Sequence, residues 1–192
     1  FHDDVQNVVK RKKYDWIDID PFGTPVPYLN SIIENVNDNG ILGIAATDTA
    51  VLCGAKPSVC FKRYGAYSTK RVAAKEVGVR ILLGKIQTLA KKNGRSIEPL
   101  LSYSEGHHLR VFLRVVNERN ITLKWLNNKM EVSDSEVKDS AGPIWLENII
   151  NPEFIPEKCE GQLGKFFEIL KKEAHGPPGL FDINDMARDA QV

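Results

Sequence analysis

Asp18-Ile19-Asp20-Pro21-Phe22-Gly23 is the stretch on which the fold of this chain turns. It follows Tyr14-Asp15-Trp16-Ile17, a short β-prone run, and leads into Thr24-Pro25-Val26-Pro27, the Pro-punctuated start of an amphipathic helix. A strand ending in a carboxylate, a stiff apolar turn and a helix thus succeed one another within a few residues. Open α/β sheets bind ligands at the carboxyl ends of their strands, so this turn lies where a substrate would sit. Pro21 fixes its own φ, has no N–H, and biases Asp20 toward an extended conformation. Gly23 permits a sharp bend and a close approach of backbone to ligand. The Asp20 carboxylate and the Pro21 carbonyl then offer two acceptors beside the flat face of Phe22. That set suits a planar group carrying an NH2, such as a nucleobase. Two plainer readings stand beside it: Asp-Pro occurs in strand-to-helix loops for turn chemistry alone, and Phe22 can pack under the loop as core.

Outward from the turn, Val26, Leu29, Ile32, Ile33 and Val36 recur at helical spacing up to Asn39-Gly40. Residues 41–46 read as a buried strand, so the unit is strand–helix–strand with parallel pairing. Upstream, Val5, Val8 and Val9 mark one face of a short helix before Lys10-Arg11-Lys12-Lys13, and Phe1-His2 reads as the stub of a preceding strand. Downstream, a loop over residues 47–57 enters the basic aromatic stretch Phe61-Lys62-Arg63-Tyr64. A long helix is expected over 69–93, with Gly78 and Gly84 allowing close backbone approach. Two strands, 97–103 and 109–116, join at Glu105-Gly106. Residues 121–126 and 129–132 read as a hairpin across Asn127-Asn128. Leu163, Phe166, Phe167 and Leu170 give a further helix, and a last one is expected over 185–190. A helix-turn-helix reading of these two is opposed by their acidic flanks. A boundary is expected near residue 120, separating residues 1–120 from a C-terminal appendage at 121–192.

Composition sets bounds on the class. The 192 residues are 42% hydrophobic and 27% charged, as in an ordinary globular protein. No apolar run approaches a membrane span. Cys53, Cys60 and Cys159 form neither a disulfide framework nor a paired metal spacing, which points to reduced thiols and a cytoplasmic protein. The net charge of +1 hides an asymmetry. Residues 1–130 hold 20 Lys/Arg against 12 Asp/Glu, whereas residues 131–192 hold 6 against 13. A basic half suits phosphate contact. The chain opens on Phe rather than Met and in mid-fold, so the expectation is the C-terminal portion of a longer protein.

Asp20-Pro21-Phe22-Gly23-Thr24-Pro25 resembles the Asp-Pro-Phe-Gly-Ser/Thr-Pro signature of the tRNA (guanine-26-N2) dimethyltransferase family. Four later segments resemble that family in the same order. They are Ala46-Thr47-Asp48 with Leu52-Cys53-Gly54-Ala55, then Glu76-Val77-Gly78-Val79-Arg80-Ile81-Leu82, then Ser104-Glu105-Gly106-His107-His108-Leu109-Arg110, then Gly142-Pro143-Ile144-Trp145-Leu146. The resemblance implies an α/β fold, the C-terminal part of a class I (Rossmann-like) methyltransferase sheet with one reversed strand at an edge, followed by a small α+β domain. It implies S-adenosylmethionine as cofactor and tRNA as partner, with a monomeric intact enzyme. The Gly-rich loop that meets the methionine part of the cofactor has no counterpart here, so the isolated chain is expected to be inactive.

The same resemblance assigns roles. Asp20 and Pro21 become catalytic, holding the guanine NH2, and Phe22 becomes the base-stacking ring. Thr47 and Asp48 are expected to fix either the base edge or the Phe22 loop. His107 and Arg110 join the substrate side. Asp4 and Val5, with Asp20, are expected at the cofactor, although an N-cap explains Asp3 or Asp4 equally well. Lys62, Arg63 and Tyr64 are expected to contact RNA. No metal is expected, since adjacent His107 and His108 point to opposite faces of a strand and no cysteines flank the expected hairpin. The rival readings are another amino-methylating enzyme of nucleic acids, acting on adenine N6 or ribosomal RNA guanine N2, and a non-catalytic RNA-binding module.

Overall fold

A computed structural model describes residues 5–70, 74–126 and 141–174. The described chain runs α1 (Val5–Val9), β1 (Tyr14–Ile19), α2 (Val26–Asn35), β2 (Val36–Ala46), α3 (Thr49–Leu52) and α4 (Pro57–Tyr64). Then follow α5 (Ala74–Lys92), β3 (Arg95–Glu105), β4 (His108–Asn117), β5 (Lys124–Leu126), β6 (Ala141–Ile144) and α6 (Gly161–Ala174). The expected strand stub at Phe1-His2 and the expected last helix at 185–190 lie outside the described residues.

One four-stranded sheet, in the order β1-β2-β4-β3, positions everything that follows. β1 and β2 pair in parallel, as the strand–helix–strand pattern predicts, with Ile19 opposite Ile44. β4 runs antiparallel to both β2 and β3, with Ala46 opposite Leu109 and Glu105 opposite His108. The reversed strand is therefore not at the edge, as expected, but one place in from it. The chain leaves along β3 at the edge and turns back through Gly106, whose φ of 55° suits a residue without Cβ, so β4 fills the gap beside β2. This topology brings the ends of β1, β2 and β3 and the start of β4 to a single rim.

Alternation in β4 sends Leu109, Val111, Leu113 and Val115 into one face of the sheet, where Ile17, Ile19, Leu42, Ile44 and Ala46 join them. Leu29, Ile32 and Ile33 of α2 and the apolar length of α5 from Val77 to Ala90 close over that face. α2 starts over prolines and stops at Asn35. Asn39 takes a left-handed φ of 62°, and the strand written for residues 41–46 is longer than expected, reaching back to Val36. Arg95 fastens this end, donating to the carbonyls of Ile33, Val36 and Asn37 at 2.7–2.9 Å. Gly78 fulfils the close approach expected of it: a Cβ there would lie 3.0 Å from Leu109 and 3.3 Å from Leu52.

Two expectations need correction. The loop written for residues 47–57 contains α3, and the basic aromatic stretch belongs to α4, so two short helices replace a coil. β5 pairs antiparallel with β6, Lys124 opposite Ile144 and Leu126 opposite Ala141. The expected hairpin partner at 129–132 lies outside the described residues. Gly142 makes the observed pairing possible, because any Cβ there would sit 3.0 Å from the Trp125 backbone and 3.2 Å from its ring.

The described residues after 120 pack in two places. Ile121, Leu123, Ala141, Ile144 and Trp145 join the main core beside α5. The buried Arg80 guanidinium ties them down, pairing with Glu76 at 2.9 Å and donating to the carbonyls of Trp145 and Glu147 at 3.1 and 3.0 Å. Leu170, Phe166 and Phe167 of α6 cover the opposite face near β3, over Leu101, Tyr103 and Phe112.

Candidate functional site

β1 delivers Asp20 to the rim, and the turn behind it is held from two sides. The Thr47 N–H donates to the Gly23 carbonyl at 2.9 Å, and the Gly23 N–H donates to Thr47 Oγ1 at 2.7 Å. Gly23 has φ of 85°, a conformation that an L side chain would strain. One residue further on, Thr24 Oγ1 lies 2.8 Å from the Tyr64 hydroxyl, which in turn lies 2.8 and 3.0 Å from the two Asp48 oxygens. An ionised carboxylate only accepts, so Tyr64 donates to Asp48 and receives from Thr24. Burial pushes the Tyr64 hydroxyl well above its ordinary pKa, so it remains a donor at neutral pH. Arg63 closes the network at 3.3 Å from Asp48.

On this mount the apex of the turn is open. Asp20 is exposed, Pro21 is half-buried, and Phe22 is 106% exposed, its ring turned fully out. The core reading of Phe22 is thereby removed. A buried frame carrying an exposed carboxylate, an exposed ring and a peptide carbonyl can grip a flat, NH2-bearing ligand at little reorganisation cost.

The other expected residues fall into three groups. Thr47 and Asp48 are on the rim, Thr47 clamping the turn directly and Asp48 through Tyr64. His107 is exposed at the β3–β4 turn on the same rim, and Lys62 and Arg63 are exposed on α4. Tyr64 is only 4% exposed, so its ring is a strut beneath the site and offers no stacking face. Arg110 is engaged by the sheet itself. Its guanidinium pairs with Asp18 at 2.5 Å and lies 4.8 Å over the Phe112 ring. Gly43 makes that bridge possible, because a Cβ there would meet the Asp18 carboxylate at 2.5 Å. Val5 opens α1, and Asp4 lies outside the described residues.

Thr24 and Gly43 escaped the sequence reading. Thr24 stood within the quoted signature but gave no hint of its distant partner, and Gly43 sat unremarked in an apolar run. Burial pushes the Cys60 thiol up to about 11 and raises that of Cys53, so neither is a ready nucleophile at neutral pH. Among the described residues no group of three or more His, Cys, Asp or Glu is placed to hold a metal ion, and no helix is long and apolar enough to cross a membrane.

Comparison with known proteins gives the family and the fold. Residues 2–136 match the family model described as N2,N2-dimethylguanosine tRNA methyltransferase. A tRNA (guanine(26)-N(2))-dimethyltransferase of Thermoplasma volcanium is 38% identical over 198 residues, covering all of this chain and 57% of the relative. One from Pyrococcus abyssi is 31% identical, again over the whole chain and 57% of the relative. Among solved structures, Trm1 from Pyrococcus horikoshii in complex with S-adenosyl-L-methionine superposes with a TM-score of 0.80 at 25% identity, covering all of this chain and 58% of that one. The chain thus spans about half the length of the curated relatives it matches. With the signature turn clamped at the rim of the sheet and the family model spanning most of its length, this chain belongs to the N2,N2-dimethylguanosine tRNA methyltransferase family.

Proposed function

We propose that the protein at its natural length transfers methyl groups from S-adenosylmethionine to N2 of guanine 26 in tRNA, and that this chain supplies the surface gripping the guanine. The observation that carries the reading is the exposed Asp20-Pro21-Phe22 apex on a turn fixed by Thr47 and the Thr24–Tyr64–Asp48 chain. The cofactor fits this chain on one side only: an open carboxylate stands at the rim, and the Gly-rich loop that would hold its methionine part has no counterpart here. When bound, S-adenosylmethionine supplies an electrophilic methyl on a sulfonium.

The N2 lone pair of guanine is delocalised into the ring, which makes it a poor nucleophile. Asp20 and the Pro21 carbonyl accept the two N–H groups and so fix the direction of the nitrogen. Alignment and proximity are the main source of rate. After transfer the nitrogen is positively charged, and its proton leaves to Asp20 or to water. A base reaches this apex only by leaving its stack, and Phe22 replaces the lost stacking partner. In this reading Asp4 and Val5, with Asp20, would hold the adenine side of the cofactor. His107, Lys62 and Arg63 meet the RNA backbone. On the same reading residues 1–120 form the catalytic part that carries the rim, and residues 121–192 form an appendage whose described residues pack against α5 and β3.

Asp20→Asn tests this at the reacting atoms, since it keeps the shape but turns one acceptor into a donor facing the guanine NH2. The single-turnover rate is expected to fall at least about a hundredfold, roughly 2.7 kcal/mol of barrier, with tRNA affinity nearly unchanged. A near-normal rate would remove Asp20 from the chemistry.

A further inference from the structure

Away from the rim turn, three aromatic rings lie on the surface in contact with one another. Phe61 of α4 is 47% exposed, Tyr67 is 40% exposed and Trp125 of β5 is 47% exposed. The Phe61 and Tyr67 rings are stacked, centroids 4.6 Å apart and planes 18° from parallel. Trp125 continues the row, 6.3 Å from Tyr67 and tilted by 32°. They come from two distant parts of the chain, and backbone bonds hold them together. Tyr67 and Gly142 exchange N–H···O bonds of 2.7 and 2.9 Å, and the bare Cα of Gly142 seats the Trp125 ring. An exposed row built with this much backbone support is not a scatter of surface apolar residues.

The sequence that supplies two of the rings is basic. Between Asp48 and Glu76 the sequence holds six Lys/Arg (Lys56, Lys62, Arg63, Lys70, Arg71 and Lys75) and no Asp or Glu. Lys62 adjoins Phe61 and Lys124 adjoins Trp125, both exposed. Flat π-faces bordered by cations are what unpaired nucleotides require: bases stack on the rings while phosphates meet the cations. A protein partner would find an apolar patch too narrow and too one-sidedly charged to build an interface core.

We propose that Phe61, Tyr67 and Trp125 form a second RNA contact, a stacking platform for unpaired nucleotides outside the guanine-gripping turn. The platform is linked to that turn through α4, whose Tyr64, one helical turn beyond Phe61, reaches Thr24 and Asp48. The inference rests on the reading of RNA as the substrate, but its test needs no methyl transfer.

A fluorescein-labelled ten-nucleotide oligouridylate, titrated into the 192-residue chain without cofactor, is the probe, beside an RNA duplex of equal length. The single strand is expected to bind more tightly than the duplex. Trp125→Leu and, independently, Phe61→Leu on the outer face of a helix should each weaken single-strand binding roughly tenfold, the scale of one lost base stack. Trp125→Phe should restore most of it. Lys62→Ala should lower the slope of log affinity against log salt by about one, and the ring variants should leave that slope alone. The oligonucleotide carries no guanine and no cofactor is present, so the result stands or falls independently of the methylation reading. Equal affinity of parent and both Leu variants, equal loss in Trp125→Phe and Trp125→Leu, or preference for duplex would each overturn the platform. So would a chain that ignores RNA and self-associates through these rings.

Discussion

Phe22 crowns the turn and Tyr64 of α4 braces it, yet one ring is fully exposed and the other is buried. Their substitutions should therefore behave oppositely. Phe22→Ala removes no packing, so its stability should change by no more than about 0.5 kcal/mol, as is typical of surface changes, and its melting temperature should barely move. Methylation should slow because the extruded guanine loses its platform, and Phe22→Tyr should retain most of the rate. Tyr64→Phe keeps the packed ring but leaves the Thr24 hydroxyl and one side of Asp48 without their partner, at a cost of about 1–3 kcal/mol. It should lower the melting temperature first and the rate with it. A Phe22→Ala protein that melts markedly earlier would return that ring to the core. The roles of these two residues were unequally legible. Pro21, Phe22 and Gly23 announce a stiff, open turn by their own chemistry. Nothing local tells Tyr64 apart from its basic neighbours, because its partners lie 16 and 40 residues away.

Among the elements, α3 and α4 do most to position the site, and they were the least legible. Each is short, α4 begins at Pro57, and Gly54 falls between them, so propensity and punctuation both read as loop. Packing overrides that reading: Val51, Leu52, Cys60 and Tyr64 are buried against the sheet and α5. Gly54 is the joint. It has φ of 90°, and a Cβ there would lie 2.2 Å from the Thr69 carbonyl carbon, closer than backbone atoms can yield. Gly54→Ala should destabilise the protein by more than about 1 kcal/mol, several degrees in melting temperature, and loosen α4 from the rim. Thermal melts showing a wild-type midpoint would mean that the joint is soft and that α4 does not hold the turn. The long elements were easier to read. Alternation in β4 and the helical stripe of α2 each carry the core face in their own period, whereas the β5–β6 pairing depends on Gly142 meeting Trp125 across an intervening segment.

At the scale of the molecule, the sheet order gathers onto one rim residues that the chain spreads from Asp20 to His107. A sequence shows that a strand ends in Asp-Pro but not which other strand ends beside it. Arg110 illustrates the limit: its partner Asp18 lies 92 residues away, and only the register opposite Ala45 brings the two together across Gly43, where the pair steadies β1. The central claim is that this rim presents the exocyclic amine of one guanine for methylation. It is tested most directly by mass spectrometry of two tRNAs incubated with the natural-length protein and S-adenosylmethionine. The two are identical except that one carries inosine, which lacks the 2-amino group, at position 26. The account predicts N2-methylated guanosine at position 26 of the first and no methyl on the second. Methyl transfer to the inosine tRNA, or to guanosine at an atom other than N2, would contradict it.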